Sequence, residues 1–334
     1  MPNRTLFEIP LQPVLGSRFQ PTGFPDLGAA LFDRPRRDSS GTLRWEKALL
    51  VESPQSMANH LEGSCWDPAR NTPVAEIAQL PWVRVEDANG TFLTSSRLES
   101  HRLAASYVKD AMLGPTEMKV EIRARLGLRD NEPLAPRDIA AAVFRLDPLC
   151  LLHGVFFAEA ANVWPGQPKI ARAVTAVIEA HDVRPAESGG VKRDAVGHSK
   201  GDDQNAKGGY GSVPFHRTEW TAAEIVLLVS IDESQLRSYG LSADATSLLS
   251  TLARWQLRTM LDDGLRPRTG CDLRPLGDIE GLSSREELTT KLSQQITACS
   301  AELAEGASPL TVIWRGARMS KGAKAPADNL VVPD

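Results

Sequence analysis

The sequence has few cysteines and no long apolar run, and both absences narrow the class of protein. The four cysteines form no CxxC pair and lie far apart: Cys65, Cys150, Cys271 and Cys299. This usage favours reduced, buried thiols over disulfides or a structural zinc site. No segment approaches the roughly 20 apolar residues that span a bilayer. The first ten residues also lack the apolar core of a signal peptide. The sequence therefore predicts a cytoplasmic protein.

Catalytic signatures are missing as well. The chain has no GxxxxGK[ST] phosphate loop, no HExxH and no GxSxG nucleophile elbow. Its six histidines form no pair with another His or Cys at metal-ligand spacing. An acid–base pair such as His216 with Glu219 lacks an accompanying nucleophile. We therefore expect no catalytic residue, no metal and no cofactor.

The elements that are present indicate an α+β domain. Hydrophobic residues make up 42% and charged residues 24% of the 334 residues, values near the average of globular proteins. Strands and helices occur without regular βα alternation, which predicts the α+β class. Predicted helices cover 53–61, 96–112, 242–263 and 284–299. Predicted strands cover 82–86, two stretches within 143–158, 170–180, 220–231 and 310–314, with a helix as the alternative for 170–180. We expect one domain over residues 1–314 and a mobile basic tail over 315–334.

Capping signals place these helices. Ser53 is a good N-cap and Pro54 occupies the first helical position. The run Ser96-Arg97-Leu98-Glu99 has the spacing of a capping box, and an apolar stripe follows it. Gly264 is a plausible C-terminal stop for the long helix that precedes it.

The net charge of −4 argues against nucleic-acid binding, but the distribution of basic residues argues for it. The polar tract 184–213 is predicted to be a loop. Between its glycines it carries Lys192, Arg193 and Tyr210, and Arg217 follows it. Gly-flanked cations can follow a phosphate backbone, and a tyrosine can stack on a base. The alternative is a solvated loop, since Glu187, Asp194, Asp202 and Asp203 also lie there.

Two other segments carry basic residues. Arg18 and Gln20 precede Pro21-Thr22-Gly23, which suits either a rigid turn presented to single-stranded RNA or a packed strand end. Arg266 and Arg268 follow a predicted helix and are suited to bidentate phosphate contact. Their alternative is a solvated helix face.

Several segments together resemble one family. They are Arg18-Phe19-Gln20-Pro21-Thr22-Gly23-Phe24-Pro25-Asp26-Leu27-Gly28, Val51-Glu52-Ser53-Pro54-Gln55-Ser56-Met57-Ala58-Asn59, Thr94-Ser95-Ser96-Arg97-Leu98-Glu99-Ser100-His101-Arg102-Leu103-Ala104, Ser188-Gly189-Gly190-Val191-Lys192-Arg193-Asp194, Val213-Pro214-Phe215-His216-Arg217-Thr218-Glu219-Trp220, Leu236-Arg237-Ser238-Tyr239-Gly240 and Gly264-Leu265-Arg266-Pro267-Arg268-Thr269-Gly270-Cys271-Asp272-Leu273. The chain is similar to the backbone RAMP protein of type I-G (formerly I-U) CRISPR systems, a Cascade subunit. Each segment alone is weak, but together they cover most of the chain.

The resemblance implies a modified RNA-recognition (ferredoxin-like) palm with inserted finger and thumb segments, the tract 184–213 being one such insertion. It implies copies that polymerise along guide CRISPR RNA beside other Cascade subunits, and target DNA that is recognised through guide pairing. It also implies no nuclease activity. The RNA-binding set that we predict is Arg18, Gln20, Thr22, Gln55, Asn59, His101, Arg102, Lys192, Arg193, Tyr210, His216, Arg217, Arg237, Arg266 and Arg268.

Two competing hypotheses remain. The chain could be a RAMP-type endoribonuclease that processes precursor guide RNA, with His101 or His216 as general base. It could instead be a structural partner of other Cas proteins that contacts no RNA. Cleavage assays separate the first from RNA coating, and salt-dependent RNA binding separates the second.

Overall fold

A computed structural model describes residues 3–24, 27–159, 163–193, 212–303 and 309–316. The described strands are β1 (Thr5–Pro13), β2 (Gly23–Phe24), β3 (Gly28–Ala29), β4 (Leu31–Arg37), β5 (Leu43–Glu52), β6 (Trp66–Asp67), β7 (Thr72–Pro73), β8 (Val83–Glu86), β9 (Phe92–Ser95), β10 (Met112–Leu113), β11 (Thr116–Glu117), β12 (Val155–Phe156), β13 (Lys169–Ile170), β14 (Val174–Arg193), β15 (Ser212–Ile231), β16 (Leu265–Arg268), β17 (Cys271–Pro275) and β18 (Leu310–Ile313). The described α-helices are α1 (Pro54–Gly63), α2 (Ser106–Lys109), α3 (Met118–Arg125), α4 (Pro136–Leu146), α5 (Leu149–His153), α6 (Glu233–Ser238), α7 (Ala243–Asp263), α8 (Arg285–Ala298) and α9 (Ser300–Leu303).

A seven-stranded sheet organises the chain. Its strand order is β16-β17-β1-β15-β14-β5-β4, with neighbours antiparallel. The inner part follows the chain order β1, α1, β14, β15, α7, β17, which is the βαββαβ order of a ferredoxin-like unit. The structure confirms the predicted α+β class.

One face of this sheet forms the core. Phe7 and Ile9 of β1 pair with Val229 and Leu227 of β15, and all four side chains are buried. The alternate residues point to the opposite face, as the two-residue period of a strand requires. On the buried side, α1 packs against β14 and α7. Burial of these apolar faces fixes the strand register, because a slip by one residue would expose them.

A large insertion, residues 64–173, separates α1 from β14. It contains strands β6 to β13 and helices α2 to α5. Here β8 and β10 join the C-terminal strand β18 in a second sheet of order β11-β10-β18-β8-β9. The pairing of β18 with β8 is parallel, so the end of the described chain closes onto the insertion.

Several sequence-based predictions are confirmed. Helix α1 begins after Ser53, whose side chain accepts a hydrogen bond from the Ser56 amide. Helix α7 begins after Ser242 in the same way. Helix α8 has a complete capping box between Ser284 and Glu287. Strands β8, β15 and β18 lie where alternation and apolar content predicted them.

The helix predicted from the capping box at Ser96 is wrong. The Ser96 hydroxyl donates to Asp147 (2.6 Å) and accepts from the Val83 amide (3.1 Å). The Glu99 carboxylate accepts from the Thr94 hydroxyl at 2.7 Å. Neither side chain is therefore available to cap a helix at Ser96. A turn, followed by a 3-10 helix at Arg102–Ala104, takes the place of the predicted helix start.

Of the two strands predicted within 143–158, one corresponds only to the two-residue β12 and the other is wrong, since α4 and α5 occupy most of this range. The buried residues Ile139, Ala140, Val143 and Phe144 follow a helical period. The polar tract predicted as a loop instead extends both long strands, with pairs from Arg184↔Thr221 to Arg193↔Ser212. The remainder of that tract, residues 194–211, lies outside the described residues, as does most of the predicted tail.

Candidate nucleic-acid interface

The segment after β1 is held in a fixed path across the end of the sheet. Phe19 and Trp220 exchange two backbone hydrogen bonds of 2.9 Å, and the Phe19 side chain is fully buried. The Gln20 amide donates to the Gly270 carbonyl (2.8 Å), and the Thr22 amide donates to the Val51 carbonyl (2.9 Å). Backbone hydrogen bonds to Trp220, Gly270 and Val51 thus fix the path of residues 19–22. The side chains of this turn therefore have fixed positions.

Arg268 fastens this turn to β5. Its Nη1 donates to the carbonyls of Gln20 (3.2 Å) and Val51 (3.0 Å), and its Nη2 pairs with the carboxylate of Glu52. Glu52 is buried. A planar guanidinium can satisfy several acceptors at once, which an ammonium on a flexible chain cannot do in the same geometry. Arg268 therefore positions the turn in addition to facing the groove beside it.

Arg18 and Arg217 share one carboxylate. Glu219 lies 3.3 Å from Nη1 of Arg18 and 3.8 Å from Nη1 of Arg217. The Glu219 side chain is 13% exposed, whereas the two arginine side chains are 55% and 45% exposed. Two cations on one carboxylate leave a local positive charge. Because exposed ion pairs are weak, both guanidinium groups remain available to an anion.

The turn, Arg217 and Arg268 border a groove that we call the rim groove, with a volume of about 790 Å³. Its lining includes five of the predicted RNA contacts: Gln20, Thr22, His216, Arg217 and Arg268. The Oε1 atom of Gln20 is buried without a hydrogen-bond partner among the described residues. His216 places Nε2 at 2.7 Å from Glu187 and is largely exposed. The groove therefore offers cations, an amide and an imidazole to one ligand.

A second group of predicted residues lines a separate cavity of about 460 Å³, which we call the α1 pocket. Gln55 and Asn59 lie one turn apart on α1 and are exposed, and His101 is exposed on the facing turn. Arg102 is buried. Its Nε and Nη2 each donate to Glu62 at 2.6 Å, and its Nη1 donates to the Gly154 carbonyl at 3.1 Å. These contacts make Arg102 a support of the pocket wall.

Sequence reasoning missed three residues of this pocket. Phe156, Lys169 and Arg172 line it, but they occur singly in apolar surroundings, with no cluster or motif to mark them. Only the pairing of β12 with β13 brings them together.

The other predicted contacts do not join either cavity. Arg237 donates to the Asn3 side chain (2.9 Å) at the end of the sheet opposite to the rim groove. Arg266 is exposed on the outer strand β16. Lys192 and Arg193 end β14, and Tyr210 lies outside the described residues. RNA contact by each of these residues stays a prediction.

The open face of the sheet is not a stacking platform. Residues of β1, β14 and β15 whose side chains point away from the core include Glu8, Glu179 and Glu224, and between 6–12, 175–181 and 224–230 they include no Phe, Tyr or Trp. His181 lies between two of these carboxylates, 2.7 Å from Glu224 and 3.3 Å from Glu179. RNA-recognition motifs stack bases on aromatic rings of this face, and the three central strands here offer carboxylates in their place.

Metal and membrane sites are not found in the described part of the chain. No group of three or more His, Cys, Asp or Glu side chains there is arranged to hold a metal ion. No helix in the same ranges is both long and apolar enough to cross a membrane.

Comparison with known proteins identifies a family. One solved chain, titled "CRISPR RNA-guided surveillance complex, pre-nicking", is similar over 89% of each chain at 10% identity, with a TM-score of 0.34. At this identity and TM-score, the similarity assigns no property to this chain. No curated protein matches the sequence. Residues 6–185, more than half of the chain, match the family model described as CRISPR-associated protein GSU0053. The chain therefore belongs to this CRISPR-associated family.

Proposed function

We propose that this chain is the backbone subunit of a type I-G Cascade, a RAMP protein that coats guide RNA in the cytoplasm and performs no chemistry. Its further copies and other Cascade subunits are the proposed protein partners, and target DNA joins through pairing with the guide. The observation that carries the proposal is the rim groove, where five predicted contacts from three separate segments line one cavity.

The fold supports a division of labour within the subunit. The ferredoxin-like unit is the proposed palm, and the insertion 64–173 is the proposed finger. The pairing of β14 with β5 ends at His181↔Ala48. Beyond that point β14 is paired with β15 alone in the described chain. We assign this projecting hairpin as the thumb, because a two-stranded arm can reach a neighbouring copy or the guide.

The electrostatics of the rim agree with binding to phosphates. Arg18, Arg217 and Arg268 face Glu52 and Glu219, so cations outnumber carboxylates at the turn. Phosphate contacts provide most of the sequence-independent affinity of nucleic-acid binding. A net charge of −4 does not oppose this mode, since only the groove has to be positive.

The test is RNA binding by the purified full chain. We expect nuclease-resistant RNA to co-purify with it. In titrations with single-stranded RNA, Arg18→Ala and Arg217→Ala should each reduce the slope of log affinity against log salt by about 0.7. Arg129→Ala is the matched control, because Arg129 is exposed, pairs with Glu132 and lines neither cavity. RNA-free wild-type protein with no salt-dependent binding would overturn the proposal.

The ribonuclease alternative rests on one contact. His216 lies 2.7 Å from Glu187, an arrangement that can orient a general base. His101 lines the other cavity, so the two histidines do not form one acid–base pair. Labelled repeat RNA should remain intact in the presence of the protein. Cleavage that disappears in His216→Ala or His101→Ala would replace coating with processing as the function.

A further inference from the structure

The α1 pocket depends on a close crossing of two backbone segments. Gly154 has φ +84°, and a Cβ atom there would lie 2.9 Å from the Ile170 carbonyl oxygen and 3.3 Å from the Arg172 amide nitrogen. Next to it, Val155 pairs with Ile170 and Phe156 pairs with Lys169. The glycine therefore lets the segment 169–172 lie directly against the end of α5, which sets Lys169 and Arg172 into the pocket wall.

The charges in this pocket do not balance. Arg102, Lys169 and Arg172 line it, and the nearby carboxylate, Glu62, has both oxygens occupied by Arg102. Among the described residues, neither Lys169 nor Arg172 pairs with a carboxylate. Lys169 lies 5.6 Å from the centroid of the Phe156 ring. The pocket is thus partly buried and carries more positive than negative charge.

Arg172 shows the consequence of this imbalance. Its Nε donates to the His153 carbonyl at 3.3 Å, which leaves the two terminal amino groups for other acceptors. Burial, and then the charge of Arg102, lower the pKa of Arg172 in spite of the smaller opposite effect of Glu62. The net effect is that the charged guanidinium is less stable here than in water. A bound anion would remove that penalty.

Neutral donors complete the pocket. The amide side chains of Gln55 and Asn59 project from one face of α1, since residues four apart are neighbours on a helix. Amide groups beside cations match the several oxygens of a phosphodiester better than the two of a carboxylate. A volume of about 460 Å³ also exceeds the space that a single acidic side chain needs.

We infer that the α1 pocket binds one phosphodiester group of single-stranded RNA, held by Lys169 and Arg172 with the amides of Gln55 and Asn59. The inference rests on the proposed RNA binding and adds two cationic residues that the family resemblance did not include. It predicts a phosphate contact separated from the rim groove and placed between the palm and the finger.

The first test compares salt dependence for the full chain with a fluorescent single-stranded RNA. Arg172→Ala and Lys169→Gln should each weaken binding and reduce the slope of log affinity against log salt by about 0.7. Arg129→Ala should change neither quantity. Because Lys169 is exposed, Lys169→Gln keeps the test decisive if Arg172→Ala fails to fold. Unchanged slopes in folded variants would overturn the inference.

The second test locates the contact. RNAs with one uncharged methylphosphonate linkage at successive positions are titrated against the wild type and Arg172→Ala. At the contacted linkage, the two losses should not add, because both remove the same interaction. Strict additivity at every position would refute the pocket while leaving RNA binding intact. If the variants bind RNA normally but fail to join other subunits, the pocket holds a protein carboxylate and the inference is wrong. Wild-type protein that binds no RNA would instead defeat the proposed function itself.

Discussion

Replacing Arg102 with methionine should destabilise the fold rather than remove an RNA contact. Arg102 is 5% exposed and Glu62 is 6% exposed, and they form two hydrogen bonds of 2.6 Å. Methionine keeps the length of the side chain but removes all its donors. The carboxylate of Glu62 and the carbonyl of Gly154, which Arg102 also serves, would then lose a partner inside the protein.

The magnitude follows from burial. Breaking a buried ion pair by removal of one partner costs about 3–5 kcal/mol, because it leaves an uncompensated charge. At roughly 2.1 cal/mol/K per residue, the unfolding entropy of a chain of 334 residues is about 0.7 kcal/mol/K, so the melting temperature should fall by about 4–7 °C. The matched change Arg129→Met removes a side chain that is 73% exposed and paired with Glu132. Exposed pairs contribute about 0–1 kcal/mol, so this control should melt close to the wild type.

The pH dependence identifies the cause. Burial raises the pKa of Glu62, and Arg102 is the partner that opposes this effect most, ahead of the charges of Arg172 and Arg97. A folded-state pKa above the unfolded value means that stability falls as pH rises through it. The deficit of Arg102→Met should therefore be largest near neutral pH and should shrink on acidification. Adding Glu62→Gln should recover part of the loss.

Thermal melts across pH and RNA titrations of the same samples check this reasoning. If the stability of Arg102→Met lies within about 1 kcal/mol of that of the wild type, but its RNA affinity depends less steeply on salt, then Arg102 contacts the RNA. The assignment as a support would then be wrong. A large loss of stability that does not depend on pH would refute the role given to Glu62.

Three further predictions concern the pockets and their walls. Burial lowers the pKa of His153 to about 3, so between about pH 6.5 and 3 the unfolded chain binds a proton at this histidine more readily than the folded chain does. The free energy of unfolding should therefore decrease as the pH falls below 6.5. Urea titrations should show a smaller decrease for His153→Gln than for the wild type. Gly154→Ala should destabilise the fold by more than the roughly 1–2 kcal/mol that alanine costs in the left-handed region, because the added Cβ meets a backbone oxygen. Gly127 has φ +67° and open space around it, so Gly127→Ala should show only the backbone cost. Equal melting temperatures for the two variants would contradict the close crossing at Gly154. Arg268→Lys should weaken RNA binding although it keeps the charge, since lysine cannot bind the carbonyls of Gln20 and Val51 and the carboxylate of Glu52 at the same time. If the variant keeps the affinity and the melting temperature of the wild type, the turn does not need the guanidinium group.

Local signals were sufficient for elements whose side chains act locally. Ser53, Ser242 and Ser284 cap helices through contacts with amides three residues ahead, so the sequence contains the whole interaction. The alternation in β15 predicted a central strand for the same reason. The class followed from these elements, because caps and periodicity both act over a few residues.

Distant partners defeated the same reasoning elsewhere. Ser96 has the sequence of a cap, but its hydroxyl bonds Asp147, which is 51 residues away. Nothing local marks Glu62 as the partner of Arg102, which lies 40 residues later, and RNA contact by Arg102, which the resemblance implies, stays a prediction. The fold decides whether such side chains face solvent or the interior, so their spacing alone could not.

The two cavities illustrate the limit for binding sites. Gln20 and Arg217 were candidates from the turn at Pro21 and from the basic tract, and the resemblance then included both; the fold places both at the rim groove. Lys169 and Arg172 were not predicted, since only the pairing of β12 with β13 brings the segment 169–172 to the α1 pocket. Position in a motif is visible in one sequence, but charge imbalance in a cavity requires the three-dimensional arrangement.

The distribution of carboxylates bears on the path of the guide. Glu8 and Glu179 lie on the open face of the sheet, and Glu224 lies beside His181 there. A phosphate backbone crossing this face would meet like charges, which repel at close range even with salt present. Arg34 pairs with Glu224 there, whereas at the rim groove and in the α1 pocket the cations outnumber the carboxylates that they contact. We therefore expect RNA to follow the boundary between the proposed palm and the proposed finger, from one cavity to the other. The negative net charge then reflects carboxylates that lie away from this path, and it does not argue against RNA binding.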